Sequence, residues 1–168
     1  MSVVYFNHGK ESGPWGIKIQ QLAQVARVKG FEVESLDYSG IMDPEIRVRM
    51  LLASPASKVE NLILVGSSMG GYVAAVASDT LRPAGLFLMA PALNIPGFAH
   101  QMPKPYARYT TIVHAWEDEI IPVADSIRYA QQYHADLHLV HGDHRLISQL
   151  PFIAHIFGFF LDNLVERV

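Results

Sequence analysis

Short apolar runs rich in β-branched residues alternate along the chain with longer segments whose apolar residues recur every three or four positions. The short runs predict strands, and the longer segments predict amphipathic helices. Strands separated by helices indicate βαβ units, which build a mostly parallel sheet with helices on both faces. We therefore predict one α/β domain spanning residues 1–168. The predicted strands are residues 3–6, 31–36, 61–65, 85–89, 110–115 and 137–140.

Several predicted helices carry recognisable starts and faces. The first has apolar residues at helical spacing, namely Trp15, Ile19, Leu22 and Ala26. A second should begin at Asp43-Pro44-Glu45, because an N-cap oxygen, a proline at the first helical position and an early acid all favour a start. Its pattern continues through Ile46, Met50 and Ala53. Residues 72–77 are apolar almost all round, which predicts a buried helix. Two more helices follow, one opened by Pro122 and one over about 149–165.

Composition narrows the function classes. Half of the 168 residues are hydrophobic and 17% are charged, which predicts a well-filled core and argues against disorder. The net charge is −3 with no block of like charge, so we expect no nucleic-acid partner. The chain has no cysteine, which excludes a disulfide framework, a thiolate zinc site and a cysteine nucleophile.

From the sequence we expect neither a membrane span nor a signal peptide. A membrane helix needs about 20 predominantly apolar residues, and the longest candidate, 152–160, is interrupted by His155 and Gly158. The N-terminal run has no basic segment before it and is broken early by Asn7-His8-Gly9. We expect a cytoplasmic protein with no membrane partner.

The candidate chemistry lies in loops that follow predicted strands, where parallel sheets bind their ligands. Gly66-Ser67-Ser68-Met69-Gly70 matches the pattern G-x-S-x-G between the most strand-like run and the helix that we expect to be the most buried. In that pattern the central serine sits on a sharp strand-to-helix turn, and the glycines let strand and helix approach closely. Ser68 is the predicted nucleophile rather than Ser67, because only Ser68 has glycine two residues away on both sides.

A serine nucleophile needs a base that takes its proton. The predicted base is His144, which directly follows the last strand, and His141 at the strand's end is the nearest competitor. His138, His141 and His144 have metal-like spacing, but on a strand-to-loop segment they do not share a face. With no thiolate to help, we expect no metal site.

The base needs a carboxylate that fixes its tautomer. Asp118 is the predicted partner, because its short side chain lies mid-turn, four residues before the helix-opening proline. Glu117 and Glu119 fit a solvated loop, and Asp143 is too close in sequence to His144 to face it easily.

These residues resemble the α/β-hydrolase superfamily. The chain order Ser68, Asp118, His144 is the order of that superfamily. Further matches are His8-Gly9 after the first strand and the spacing from His114 to Pro122. The resemblance implies an oxyanion hole made by the backbone N–H groups of Met69 and Lys10, with Gly9 as the alternative to Lys10.

The resemblance also implies a compact member of the superfamily. The chain starts at what would be the third strand of larger members, so we expect their N-terminal hairpin to be missing. The segment of about 20 residues before the strand at 110–115 is too short for a cap domain. An uncovered sheet edge favours a homodimer.

The expected function is therefore hydrolysis of small carboxylic esters or thioesters, without cofactor or metal, through an acyl-enzyme formed on Ser68. The alternative is a binding or scaffold protein that keeps the hydrolase fold with weak or no turnover, because fold alone does not prove activity.

Overall fold

A computed structural model describes residues 1–165 of the chain. Six strands alternate with five α-helices, and two short 3₁₀ helices cover Pro55–Lys58 and Ile147–Gln149. The strands are β1 (Ser2–Asn7), β2 (Glu32–Ser35), β3 (Asn61–Ser67), β4 (Gly85–Met89), β5 (Tyr109–Ala115) and β6 (Asp136–Val140). The helices are α1 (Ile17–Val28), α2 (Pro44–Ala53), α3 (Met69–Leu81), α4 (Val123–Tyr133) and α5 (Leu150–Val165).

The strands form one sheet in the order β2-β1-β3-β4-β5-β6, and every neighbouring pair is parallel. The predicted α/β fold is confirmed, with a sheet that is parallel throughout. All six strands therefore end at the same edge, where the loops with the candidate chemistry meet. Strands β2 and β6 form the two lateral edges of the sheet. The homodimer expected from an uncovered edge stays a prediction.

Both faces of the sheet are covered by helices. Alternate residues of β3 point to opposite sides: Leu62 and Leu64 join one buried cluster, and Ile63 and Val65 join the other. Helices α2, α3 and α4 pack on the first face, and α1 and α5 pack on the second. Such two-sided burial explains why the central strands are apolar at consecutive positions.

The connection from β4 to β5 spans residues 90–108 and contains no helix or strand. It is the only crossover within residues 1–165 that lacks an α-helix, as expected for a chain with no cap domain. Part of it packs on the first face of the sheet, where Ala92 and Leu93 are buried. The connection 90–108 therefore adds no separate layer over the edge where the strands end.

The most apolar helix, α5, is a surface helix of the fold. Its residues Ile153, Phe157 and Phe160 are buried against the sheet, whereas Phe159 is 64% exposed. No helix of residues 1–165 is long and apolar enough to cross a membrane.

Two details of the predicted helices are wrong. Trp15 lies before the first residue of α1 and is 41% exposed, so it does not belong to the buried face of that helix. In α2, Asp43 is the N-cap as expected and accepts a hydrogen bond from the Glu45 N–H. In α2, however, Ile46 and Ala53 are exposed. The buried residues of this helix are Arg47, Val48 and Leu51. The pattern misled because the helix buries an arginine where an apolar residue is normally expected.

Candidate active site

The turn between β3 and α3 holds Ser68 in an unusual backbone conformation. Its φ of 54° and ψ of −119° lie where residues other than glycine are rarely found. Four backbone hydrogen bonds fix the turn. The Ser68 N–H donates to the Met89 carbonyl at 3.0 Å, and the Ser68 carbonyl accepts from the N–H groups of Gly71 at 2.9 Å, Tyr72 at 3.3 Å and Ala92 at 3.0 Å. The surrounding strands thus hold the side chain of Ser68 above the sheet edge.

The two glycines of the motif lie where backbone segments touch. A Cβ atom at Gly66 would be 2.3 Å from the carbonyl oxygen of Gly70. One at Gly70 would be 1.9 Å from the carbonyl oxygen of Asn7, at the end of β1. Both positions therefore exclude a side chain and allow α3 to begin directly against β1 and β3.

The loop after β6 brings His144 to the serine. Its Nε2 lies 3.0 Å from Ser68 Oγ, and its Nδ1 lies 2.7 Å from Asp118 Oδ2. A neutral imidazole protonated on Nδ1 donates to the carboxylate and accepts from the hydroxyl, so one tautomer satisfies both contacts. The three side chains that the sequence singled out thus form one continuous chain of hydrogen bonds.

The side chain of Asp118 is fully buried, and both of its carboxylate oxygens have hydrogen-bond partners. Its Oδ1 accepts from the backbone N–H groups of Ile120 at 2.9 Å and Ile121 at 2.8 Å, and its Oδ2 lies near His144 and, at 3.0 Å, near His114 Nε2. Burial by itself would raise the pKa of Asp118, but the hydrogen bonds outweigh it and hold the pKa below its usual value. The carboxylate therefore stays ionised and fixed in place.

A second histidine, His114 at the end of β5, lies behind Asp118 and is fully buried. Its Nε2 is 3.0 Å from both Asp118 Oδ2 and the Ile121 carbonyl, so this nitrogen carries the proton. Its Nδ1, 2.7 Å from Ser126 Oγ, then accepts from that hydroxyl. Burial lowers the pKa of His114, which agrees with a neutral ring. In the sequence, His114 stands out only as part of a spacing pattern, which does not predict this contact.

The loop after β1 borders the serine. A Cβ atom at Gly9 would lie 3.6 Å from Ser68 Cβ, so this loop runs beside the nucleophile candidate. Met69 is the first residue of α3, where backbone N–H groups have no acceptor inside the helix. The predicted oxyanion donors, Met69 and either Lys10 or Gly9, therefore belong to segments that flank Ser68 on the structure.

The competing residues lie apart from this chain of contacts. The His141 side chain is 88% exposed and pairs with Glu117, whose other oxygen accepts from the Gly142 N–H. Asp143 is exposed and accepts from the backbone of Arg145. Ser67 points elsewhere, because its hydroxyl lies 2.9 Å from Lys18 Nζ. Among residues 1–165 no group of three or more acidic or histidine side chains could hold a metal ion.

Comparison with known proteins identifies the family. No protein-family model and no curated protein sequence matches the chain. Among solved structures, a protein of Xanthomonas campestris pv. campestris assigned to the α/β-hydrolase superfamily is 32% identical, with a TM-score of 0.90, over 97% of this chain and 99% of that one. The chain belongs to the α/β-hydrolase superfamily.

Two more distant α/β hydrolases share the fold. Est1E from Butyrivibrio proteoclasticus is 16% identical, with a TM-score of 0.83, and the match covers 98% of this chain and 88% of that one. A serine hydrolase without a lid from Xanthomonas campestris is 17% identical, with a TM-score of 0.67, over 96% of this chain and 81% of that one. At these identities the likeness concerns the fold alone, and it agrees with a domain that has no cap.

Sequence reasoning missed two basic residues beside the site of this α/β hydrolase, one half-buried and one buried. Lys18 in α1 reaches Ser67, and burial with the nearby Arg145 lowers the pKa of Lys18 to about 8. Arg47 in α2 is fully buried against the loop after β1. For both residues, the sequence shows only a charged residue among the apolar positions of a helix. That pattern does not predict which groups the side chain contacts.

We predict that this α/β hydrolase loses stability in mild acid. His8 and His114 are buried, and burial lowers the pKa of each below the ordinary 6.5. Below pH 6.5 these histidines become protonated in the unfolded chain but stay neutral in the native state. The free energy of unfolding therefore falls by up to about 1.4 kcal/mol per pH unit for each histidine. Urea unfolding at pH 7.5 and pH 5.5 measures the fall.

A pair of variants tests whether His114 contributes. His114→Gln keeps a donor and an acceptor but does not titrate, so it should reduce the loss of stability between pH 7.5 and 5.5. His155→Gln changes an exposed histidine and should keep the full loss. An equal loss in His114→Gln and in the unaltered protein would contradict a neutral His114 in the native state.

Proposed function

We propose that the protein is a serine hydrolase of small carboxylic esters or thioesters. The observation that supports this most directly is the sequence of contacts from Ser68 Oγ through His144 to Asp118, at 3.0 and 2.7 Å. Hydroxyl, imidazole and carboxylate in that order form the arrangement that activates a serine for attack on a carbonyl. The membership of the α/β-hydrolase superfamily agrees with hydrolysis.

The reaction proceeds in two steps. Ser68 Oγ attacks the acyl carbon while His144 Nε2 takes its proton, and the oxyanion is stabilised by the N–H of Met69 and an N–H of the loop after β1. His144 then returns the proton to the leaving alcohol or thiol, which leaves an acyl group on Ser68. A water molecule, deprotonated by His144, then attacks the acyl-enzyme; the bond from the acyl carbon to Ser68 Oγ breaks, His144 returns the proton to Oγ, and the acid leaves. Asp118 holds the imidazole and stabilises its cation throughout.

We infer that the loops at the strand ends suit apolar acyl groups. The connection 90–108 adds no helical layer over the strand ends, so the site lies open. Exposed apolar side chains stand on the loops after β1 and β5, namely Trp15, Trp116 and Ile120. An open site with an apolar rim binds an acyl chain through its hydrophobic surface and leaves room for varied leaving groups.

Labelling with a fluorophosphonate probe, followed by mass spectrometry, tests the proposal. The probe should modify Ser68 in the unaltered protein and in Ser67→Ala, whose changed hydroxyl is engaged with Lys18. It should not modify Ser68→Ala. A panel of esters and thioesters of increasing acyl length then identifies the preferred substrate. Folded protein that neither reacts with the probe nor hydrolyses any member of the panel would instead favour the binding or scaffold alternative.

A further inference from the structure

The guanidinium of Arg47 is buried at the loop that follows β1. Arg47 is 0% exposed and has the largest fully buried side chain of residues 1–165. Its Nη1 donates to the carbonyls of His8 at 2.9 Å and Gly9 at 3.1 Å, and its Nη2 donates to that of Lys10 at 3.3 Å. Nε binds the Ile41 carbonyl at 2.7 Å. Three consecutive peptide carbonyls thus converge on one cation.

Among residues 1–165 no carboxylate pairs with this cation. None of the ion pairs formed within residues 1–165 includes Arg47. Its remaining contacts are a 3.5 Å hydrogen bond to the Tyr38 carbonyl and the face of the Tyr38 ring at 5.2 Å. A buried charge without a counter-ion is costly, and apolar residues normally fill such a position. The chain nevertheless has an arginine at this position, and its guanidinium binds the backbone carbonyls of the loop after β1.

The orientation of the His8 and Gly9 carbonyls determines where the N–H groups of the same peptides point. All peptide bonds of the described residues are trans, and in a trans peptide the C=O and N–H point to opposite sides. When Arg47 draws the His8 and Gly9 carbonyls towards α2, the N–H groups of Gly9 and Lys10 turn away from it. Successive N–H groups on one side of a loop form a cavity that attracts an anion.

His8 supports the same arrangement from within the loop. Its Nδ1–H donates to the Gly9 carbonyl at 2.8 Å, and its Nε2 accepts from the Tyr38 N–H at 2.8 Å. The Gly9 carbonyl therefore accepts from Arg47, from His8 and, at 3.4 Å, from Ser12 Oγ, and it cannot rotate without losing these donors. The peptide between Gly9 and Lys10 is the most firmly oriented of the loop.

We propose that Arg47 is a positioning residue of the oxyanion hole: it orients the peptides of residues 8–10 so that the Lys10 N–H faces the oxyanion formed on Ser68. The proposal rests on the proposed hydrolase function and names Lys10 rather than Gly9 as the main second donor. It assigns Arg47 no contact with substrate.

The kinetic test compares Arg47→Lys with Arg49→Lys, an exposed arginine on the same helix. A lysine ammonium cannot reach three carbonyls in fixed directions, so Arg47→Lys should lower kcat about 10- to 100-fold, part of what a whole oxyanion donor contributes. KM should stay within about twofold, because the interaction arises in the transition state. Arg49→Lys should leave both constants unchanged.

Chemical rescue separates positioning from simple loss of packing. In Arg47→Ala, millimolar guanidinium chloride should restore part of kcat, whereas methylammonium chloride at equal concentration should not. A folded Arg47→Lys with unchanged kcat would overturn the proposal, and so would a lowered melting temperature accompanied by normal kcat.

If the Arg47 variants do not fold, NMR spectroscopy of the unaltered protein tests whether the Lys10 N–H faces the oxyanion. With ¹⁵N-labelled lysine and glycine, the Lys10 amide proton should move downfield when a phosphonate occupies Ser68, and more than that of Gly9. An unmoved Lys10 amide would overturn the proposal. Failure of the hydrolase function is recognised separately, since the unaltered protein and Arg49→Lys would then both be unlabelled and inactive.

Discussion

Ser68→Ala is expected to lower kcat for ester hydrolysis by about 10⁶ while the protein stays folded, by analogy with loss of a serine nucleophile in a protease. The Ser68 hydroxyl lies 3.0 Å from Nε2 of His144, which is the base that takes its proton in the proposed reaction. Without it no acyl-enzyme forms, and the remaining oxyanion donors accelerate only direct attack by water. Initial rates with a p-nitrophenyl ester, together with urea unfolding, measure both halves of the expectation.

Ser67→Ala is the matched control for that loss. It removes a hydroxyl from the adjacent residue of the same motif, but that hydroxyl contacts Lys18 and not His144. Its kcat should stay within about tenfold of the unaltered protein, since only positioning near the turn is disturbed. Should Ser68→Ala keep a tenth of the activity, the chemistry would have to lie on another residue.

The elbow could be predicted because its determinants are local. Glycines two residues before and after a serine, between an apolar run and an apolar helix, specify the turn without reference to the rest of the chain. The site could be predicted further because a parallel sheet places every strand end at one edge. His144 and Asp118 each follow a strand, so the topology alone brings them towards Ser68, and the structure has them in contact.

The surroundings of the elbow could not be predicted, because they depend on packing between distant segments. Arg47 interrupts the apolar pattern of α2, and only the fold reveals that its partners are carbonyls of the loop after β1. His114 precedes Asp118 by one turn's length in sequence, yet its link to Ser126 depends on how α4 docks on β5. Trp15 has the right spacing for a helix that begins only after it.

Gly70 shows how such packing decides the outcome of a mutation. It is the second residue of α3, and on helix propensity alone alanine would be favoured there by up to about 1 kcal/mol. A Cβ at this position, however, would lie 1.9 Å from the Asn7 carbonyl oxygen and 2.7 Å from that of His8. These atoms are backbone, and neither can rotate aside as a side chain would.

We expect Gly70→Ala to destabilise the protein by at least about 3 kcal/mol, at or above the usual range for overpacking. The end of β1 resists displacement, because Asn7 binds the Val65 carbonyl at 3.1 Å and the Tyr38 hydroxyl at 2.7 Å. Urea unfolding measures the loss. Gly13→Ala is the control, since a Cβ there meets no atom within 4 Å and stability should change by less than about 1 kcal/mol. Equal stabilities of the two variants would mean that the end of β1 moves to accommodate α3, and that the close contact does not hold the loop after β1 against Ser68.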